Sequence, residues 1–164
     1  MRRVIPCLVF MISIAMVPAG AFAQSMDLWT GTWTLNIARS TYSPGPPPEA
    51  PTSNTTVLEM VNGVMRISTD SVNAQGARTQ TVRYAHFDGG EHGRISTNSN
   101  AANVTYVYSW IDERTYQWVS KADGQELATI RLVLSPDGMT QTLTVTGTNA
   151  QGHPIDNEVV FEKQ

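Results

Sequence analysis

Hydrophobic and polar side chains alternate along most of the chain after residue 29, in short runs rich in β-branched and aromatic residues. Strict alternation over such short runs is typical of β-strands, and no stretch in this part has the period of an amphipathic helix. The predicted strands cover residues 30–37, 54–61, 64–70, 77–87, 92–97, 103–111, 114–121, 125–134, 139–147 and 156–163.

Glycine, asparagine and aspartate mark the turns between these runs. Asn62-Gly63 is the strongest hairpin signal, because both residue types tolerate the positive φ angles of a two-residue turn. Asp-Gly pairs occupy residues 88–89, 123–124 and 137–138. Connections this short require neighbouring strands to be antiparallel, since parallel pairing needs a long crossover.

Alternation also assigns each strand one apolar and one polar face. The polar face carries mainly Thr, Gln and Glu, and the same rule places Arg66, Arg83 and Arg131 on it. An all-β chain of about 8–10 such strands forms either an up-and-down antiparallel β-barrel or two packed sheets. We expect the barrel, because closure removes exposed sheet edges. The predicted apolar face holds Met65, Ile67, Val82, Tyr84, His86, Val104, Tyr106, Tyr108, Trp110, Tyr116, Trp118, Ala128, Ile130, Leu132, Leu134, Leu143, Val145, Val159 and Phe161.

Residues 1–23 have the features of a cleaved secretory signal peptide. Arg2 and Arg3 precede the apolar stretch VIPCLVFMISIAMV, and Ala-Phe-Ala at 21–23 forms a small-x-small cleavage site. We therefore expect a single domain, residues 24–164, in the periplasm or outside the cell. The sole cysteine, Cys7, would leave with the signal, so no disulfide is predicted.

A proline-rich segment separates the first two predicted strands. Because proline lacks an amide donor and fixes φ, we expect residues 40–53 to form an extended surface connector, neither strand nor helix. A lid over one opening of the barrel is the alternative for this segment.

The charge limits the classes of partner. Eleven basic and fourteen acidic residues give a net charge of −3, and loss of the two signal arginines gives 9 − 14 = −5. A negative protein does not attract nucleic acid or anionic headgroups. No segment after the signal approaches the roughly 18 consecutive apolar residues of a helical membrane span. We expect a monomer with no nucleic-acid partner and no membrane span.

Four motifs in order carry a family resemblance: GTWTLNIARSTY, YAHFDG, SPDGMTQTLTV and NAQGHPIDNEVVFEK. They resemble the lipocalin and fatty-acid-binding-protein superfamily, and more narrowly small exported bacterial lipocalin-like proteins. The resemblance covers almost all of residues 24–164. It implies a calycin-type barrel with Trp33 packed across one closed end, where its indole N–H needs a partner. Gly31 would permit a tight bend or a close approach of another strand.

One feature departs from that superfamily. Cytosolic fatty-acid-binding proteins hold the ligand carboxylate with an Arg-x-Tyr pair on the last strand. The matching positions here are Val159 and Phe161, so that anion clamp is absent.

Seven side chains are candidate ligand-binding residues, because alternation places all of them inside the barrel. Aromatic walls with a few hydroxyls fit a small hydrophobic ligand oriented by one or two hydrogen bonds. Two alternatives stay open: a filled barrel acting as a protein-interaction or inhibitor module, and a barrel isomerase or lyase using His86 and a nearby tyrosine. The candidates are Tyr84, His86, Tyr106, Tyr108, Trp110, Tyr116 and Trp118.

The segment HFDGGEHG is the one cluster of histidines and carboxylates in the sequence. His86, Asp88, Glu91 and His92 have metal-ligating side chains, but Asp-Gly-Gly is also ordinary turn chemistry. We predict no metal ion and no other cofactor. Nucleophile elbows, phosphate loops and His-x-x-x-His pairs are missing from the sequence, so no catalytic residue is predicted.

Overall fold

A computed structural model describes residues 26–43, 45, 50–96, 104–148 and 154–164 of the chain. The predicted signal peptide lies outside the described residues. The strands are β1 (Gly31–Thr41), β2 (Pro51–Val61), β3 (Val64–Asn73), β4 (Arg78–Ala85), β5 (His92–Ser96), β6 (Val104–Asp112), β7 (Thr115–Ala122), β8 (Gln125–Leu134), β9 (Thr140–Thr148) and β10 (Pro154–Lys163).

These strands form an up-and-down barrel, as predicted. Each strand pairs antiparallel with its neighbours in sequence, and β1 pairs with β10 to close the sheet on itself. All ten strands correspond to predicted runs in the same order. Among the described residues, no helix is long and apolar enough to cross a membrane.

The proline-rich connector is shorter than predicted. β1 continues to Thr41 and β2 already begins at Pro51, so both ends of the segment 40–53 belong to strands. Pro51 is compatible with this because it is the first residue of its strand, where a missing amide donor is tolerated. Residues 44 and 46–49 lie outside the described part, and with them the central portion of the connector.

Two hairpin turns have the geometry that their sequences predict. Asn62 and Gly63 have φ angles of 51° and 80°, and Asp123 and Gly124 have 50° and 79°. Positive φ at both central residues matches the right-handed twist of the strands that they join.

Two tryptophans seal one end of the barrel, called here the closed end, where the turn at 62–63 and the chain terminus at Gln164 also lie. A helical turn at residues 26–29 places Trp29 beneath β1, and both Trp29 and Trp33 are completely buried. The Trp33 indole N–H donates to the carbonyl of Trp29 at 3.0 Å. The partner expected for Trp33 is therefore provided by the chain segment immediately before β1.

The predicted faces are largely confirmed. Inward residues of neighbouring strands meet in register, as in the pairs Tyr108–Trp118 and Trp110–Tyr116. The opposite end of the barrel, called here the open end, lacks such a plug among the described residues. The hydrophobic core consists of Trp29, Trp33, Leu58, Met65, Ile67, Ala85, Tyr106, Tyr108, Tyr116, Trp118, Ile130, Leu132, Leu134, Val159 and Phe161.

Strand pairing is seen most fully between β9 and β10, which share nine register pairs from Pro154–Thr148 to Glu162–Thr140. β5 and β6 pair antiparallel at His92–Tyr106 and Gly93–Thr105, and residues 97–103, between these two strands, lie outside the described part.

Candidate ligand-binding site

Aromatic rings fill the half of the barrel next to the closed end. Trp29 contacts Tyr116 edge-on with ring centroids 4.7 Å apart, and Phe87 stacks on Trp110 at 4.5 Å. Trp110 and Tyr108, two of the predicted ligand-binding residues, belong to this packed cluster. This half of the interior is occupied by side chains.

The half next to the open end is hollow. A cavity of about 730 Å³, called here the mouth cavity, opens to solvent there. Its walls come from β4 and from β6 to β10, because inward positions near the ends of these strands carry smaller side chains. The lining comprises Arg83, Val104, Tyr106, Trp118, Ser120, Leu127, Ala128, Ile130, Leu143, Val145, Thr148 and Ile155.

A smaller space of about 110 Å³, called here the inner chamber, adjoins the mouth cavity. Arg83, Trp118 and Leu143 line both spaces. The wall from β2 and β3 adds polar side chains beside Leu58 and Ile67, and the hydroxyls of Thr56 and Thr69 lie 3.2 Å apart. The interior therefore combines an apolar entrance with polar groups deeper inside.

The prediction for β4 is wrong: Arg83 faces inward and Tyr84 faces outward. In the register of β3 with β4, Ile67 pairs with Arg83 and Met65 pairs with Ala85. Register partners share a face of the sheet, so the buried Met65 and Ile67 bring Arg83 inside. The alternation of β4 by itself favours the wrong face. In the run Val-Arg-Tyr-Ala-His, residues 82–86, the large apolar and aromatic side chains alternate with Arg83 and Ala85, and it is Arg83 and Ala85 that face the interior.

Arg83 lies between two aromatic rings. Its guanidinium carbon is 5.3 Å from the ring centroid of Tyr106 and 5.3 Å from that of Trp118. The Nε atom of Arg83 is buried and has no hydrogen-bond partner. Burial acts to lower the pKa of Arg83, but electrostatic interactions with Tyr108, Tyr106 and Tyr116 and a side-chain hydrogen bond to Tyr106 raise it overall. The guanidinium therefore stays charged.

Burial favours the neutral form of two interior phenols, those of Tyr108 and Tyr116. Burial raises the pKa of Tyr108, with the charge of Arg83 acting in the opposite direction, and burial likewise raises the pKa of Tyr116. The Tyr108 hydroxyl and the Gln141 Nε2 are buried without a partner. Interior groups that lack a partner are thus mainly hydrogen-bond donors.

The structure does not bring all seven predicted residues to one site. Trp118 and Tyr106 line the mouth cavity, and Tyr116 lines the inner chamber. Tyr84 is 39% exposed on the outer face of β4. His86 follows the end of β4, and its ring stacks on that of His92 with centroids 4.0 Å apart. The expectation that Tyr84 and His86 line the interior is therefore wrong.

Three of the four residues of the predicted histidine and carboxylate cluster meet. His86, Asp88 and His92 each place one ligand atom within 4.8 Å of the others, and these are the described side chains that could hold a metal ion. His92 Nε2 is 3.0 Å from Asp88 Oδ1. Glu91 instead contacts Lys121 and accepts a hydrogen bond from Thr105. The cluster lies outside the barrel, at the connection between β4 and β5.

A larger groove of about 790 Å³ crosses the outer face of β2, β3 and β4. Its charges are paired locally: Arg66 donates to Glu59 at 2.6 Å, and Arg78 Nε donates to Asp70 at 2.7 Å. The groove thus differs from the interior, where the charge of Arg83 is not matched by a described acid.

Sequence reasoning missed two residues that define this site, Arg83 and Trp29. The register partners of Arg83 were the signal that could have found it, whereas Trp29 precedes the first alternating run. Comparison with protein-family models and with curated proteins finds no match for this chain.

Proposed function

We propose that this chain is an exported, monomeric, lipocalin-like carrier that binds a small, mainly hydrophobic molecule in the mouth cavity. The observation that carries the proposal is the hollow half of the barrel, with a volume of about 730 Å³ and aromatic and aliphatic walls. Binding sites for small molecules typically have volumes of roughly 300–1,000 Å³, lined by apolar groups with a few polar ones.

The sequence supports the remaining parts of the proposal. The predicted signal peptide supports export, and the four ordered motifs support a lipocalin-like barrel. Alternation supports Tyr106 and Trp118 as ligand contacts, and their side chains border the cavity. Tyr116 would contact a ligand that reaches into the inner chamber.

The two alternative functions are less compatible with this interior. An interaction module with a filled barrel does not need the mouth cavity. An isomerase or lyase using His86 needs that imidazole beside a ligand, and neither interior space is lined by His86.

Native mass spectrometry of the purified protein tests the proposal. We expect a co-purifying small molecule, released on denaturation, or stoichiometric binding of 2-naphthalenemethanol by calorimetry. Ala128→Phe places a ring in the mouth cavity and should abolish this binding. Val133→Phe is the matched control, because Val133 lies on the outer face of the same strand. No co-purifying molecule and no probe binding, or equal binding by both variants, would contradict the proposal.

A further inference from the structure

We propose that the ligand is a monocarboxylate, and that Arg83 binds its carboxylate at the inner end of the mouth cavity. This inference rests on the proposed carrier function and specifies the chemical class of its ligand. It follows from four observations on the surroundings of Arg83.

First, Arg83 has no acidic partner among the described residues. Of the fourteen acids in the sequence, all but Glu49 lie in the described part, and none of these thirteen is buried. The two that are half-buried, Asp70 and Glu162, bind Arg78 and Arg39 on the outer surface. The other arginines whose side chains are described pair with acids or, like Arg131, are exposed to solvent.

Second, an unpaired cation inside a barrel is unfavourable unless something compensates it. A buried charge without an opposite charge or a full set of hydrogen bonds loses its hydration and regains little. The two flanking rings compensate in part through cation–π contacts. The Nε donor of Arg83 stays without a hydrogen-bond partner.

Third, the shape of the Arg83 guanidinium suits a planar oxyanion. A guanidinium edge presents parallel N–H groups that match the two oxygens of a carboxylate. Because Arg83 is the one cation among the described residues that line the mouth cavity and the inner chamber, we infer a monoanion and not a phosphate ester with nearly two charges.

Fourth, Arg83 lies where the apolar entrance meets the polar interior. It borders both the mouth cavity and the inner chamber, while Ile130, Leu143 and Val145 form an apolar wall toward the open end. A ligand whose carboxylate contacts Arg83 would therefore place its hydrophobic body toward the entrance. The cation in this arrangement comes from β4. The positions on the last strand where cytosolic fatty-acid-binding proteins have their Arg-x-Tyr pair are Val159 and Phe161 here, and they contribute no charge to it.

Calorimetric titration with a matched pair of probes tests the inference. 2-Naphthoate and 2-naphthalenemethanol share the same ring system and differ in charge. We expect wild-type protein to bind the carboxylate at least about tenfold more tightly, the size of one charge-assisted hydrogen bond. Arg83→Gln should remove this preference and leave the affinity for the alcohol within about twofold, since the apolar walls are unchanged. Arg131→Gln, with the same loss of charge outside the barrel, should retain the preference.

The outcomes separate the two proposals. Binding of the alcohol without a preference for the carboxylate, or the same preference in Arg83→Gln as in wild type, overturns the carboxylate inference alone. Binding of neither probe to wild-type protein, with no co-purifying molecule, overturns the carrier function as well. If Arg83→Gln folds poorly, the NMR resonance of the Arg83 Nε–H group in wild-type protein provides a second test. This resonance should shift when 2-naphthoate is added and should not shift with 2-naphthalenemethanol. A resonance that does not move with 2-naphthoate overturns the inference.

A stability measurement excludes a counter-charge from the chain itself. If Arg83 is unpaired without ligand, Arg83→Gln is at least as stable as wild-type protein toward urea. Glu49 is the one acid outside the described residues. If Glu49→Gln and Arg83→Gln each lower stability and the double variant lowers it no further, Glu49 neutralises Arg83 and the inference is wrong.

Discussion

Trp33 donates its indole N–H to the main-chain carbonyl of Trp29 at 3.0 Å, and both rings are completely buried. The bond connects β1 to the helical turn at residues 26–29 and holds Trp29 across the closed end. Trp29 Nε1 in turn lies 3.4 Å from the carbonyl of Glu113, in the turn between β6 and β7. The closed end is thus fixed by polar bonds as well as by ring packing.

Trp33→Phe should lower the free energy of unfolding by about 2–3 kcal/mol, because it leaves the buried Trp29 carbonyl without a donor and removes part of a buried ring. Trp110→Phe is a matched control, since the Trp110 Nε1 has no hydrogen-bond partner. Urea unfolding followed by fluorescence measures both. Equal losses in the two variants would show that the hydrogen bond of Trp33 contributes nothing.

Acid should weaken the protein partly through Asp70. Hydrogen bonds from Arg78 and Gln80 lower the pKa of Asp70 from 3.8 to about 2. Between these pH values the unfolded chain binds more protons than the folded one, so this contribution to stability is present above about pH 4 and lost as pH falls toward 2.

Asp70→Asn should therefore be less stable than wild-type protein at pH 7, with a difference that shrinks as pH falls from about 4 to about 2. Urea midpoints across this range measure the difference. Asp156→Asn, at an exposed acid of β10, is the comparison. A deficit of Asp70→Asn that is unchanged down to pH 2 would contradict the role of Asp70.

Gly31→Ala should destabilise the barrel by about 1–3 kcal/mol, because Gly31 has a φ of +130°, which side chains rarely adopt. An added Cβ would also lie 2.8 Å from Cε of Lys163, although that flexible side chain can move away. Gly93→Ala is the control, since a Cβ there meets open space. Thermal unfolding of both variants measures the effect, and equal melting temperatures would contradict it.

Ligand binding should slow deuterium exchange of the amides that join β5 and β6. Tyr106 pairs with His92 across these two strands and lines the mouth cavity, so a bound molecule that contacts Tyr106 should stabilise their pairing. The comparison is the exchange of β5 and β6 amides with and without 2-naphthoate.

Alternation and turn chemistry predicted the strands, their order and the closure of the barrel, because each is set by local pattern and short connections. The face of β4 could not be obtained in this way, since its own alternation favours Tyr84 whereas pairing with Met65 and Ile67 places Arg83 inside. The hollow half also lay beyond sequence reasoning. The predicted interior aromatic side chains could equally have filled the whole barrel. A cavity remains because Trp29, Trp110 and Phe87 pack against one another at the closed end.

A barrel sealed by Trp29 and Trp33 cannot act as a conduit. In this architecture a molecule leaves by the route through which it came, so one occupant must depart before the next arrives. The rate at which one bound molecule replaces another is then limited by dissociation of the first, and not by passage through the barrel from end to end. Any partner that loads or unloads such a protein must therefore approach it from the same direction.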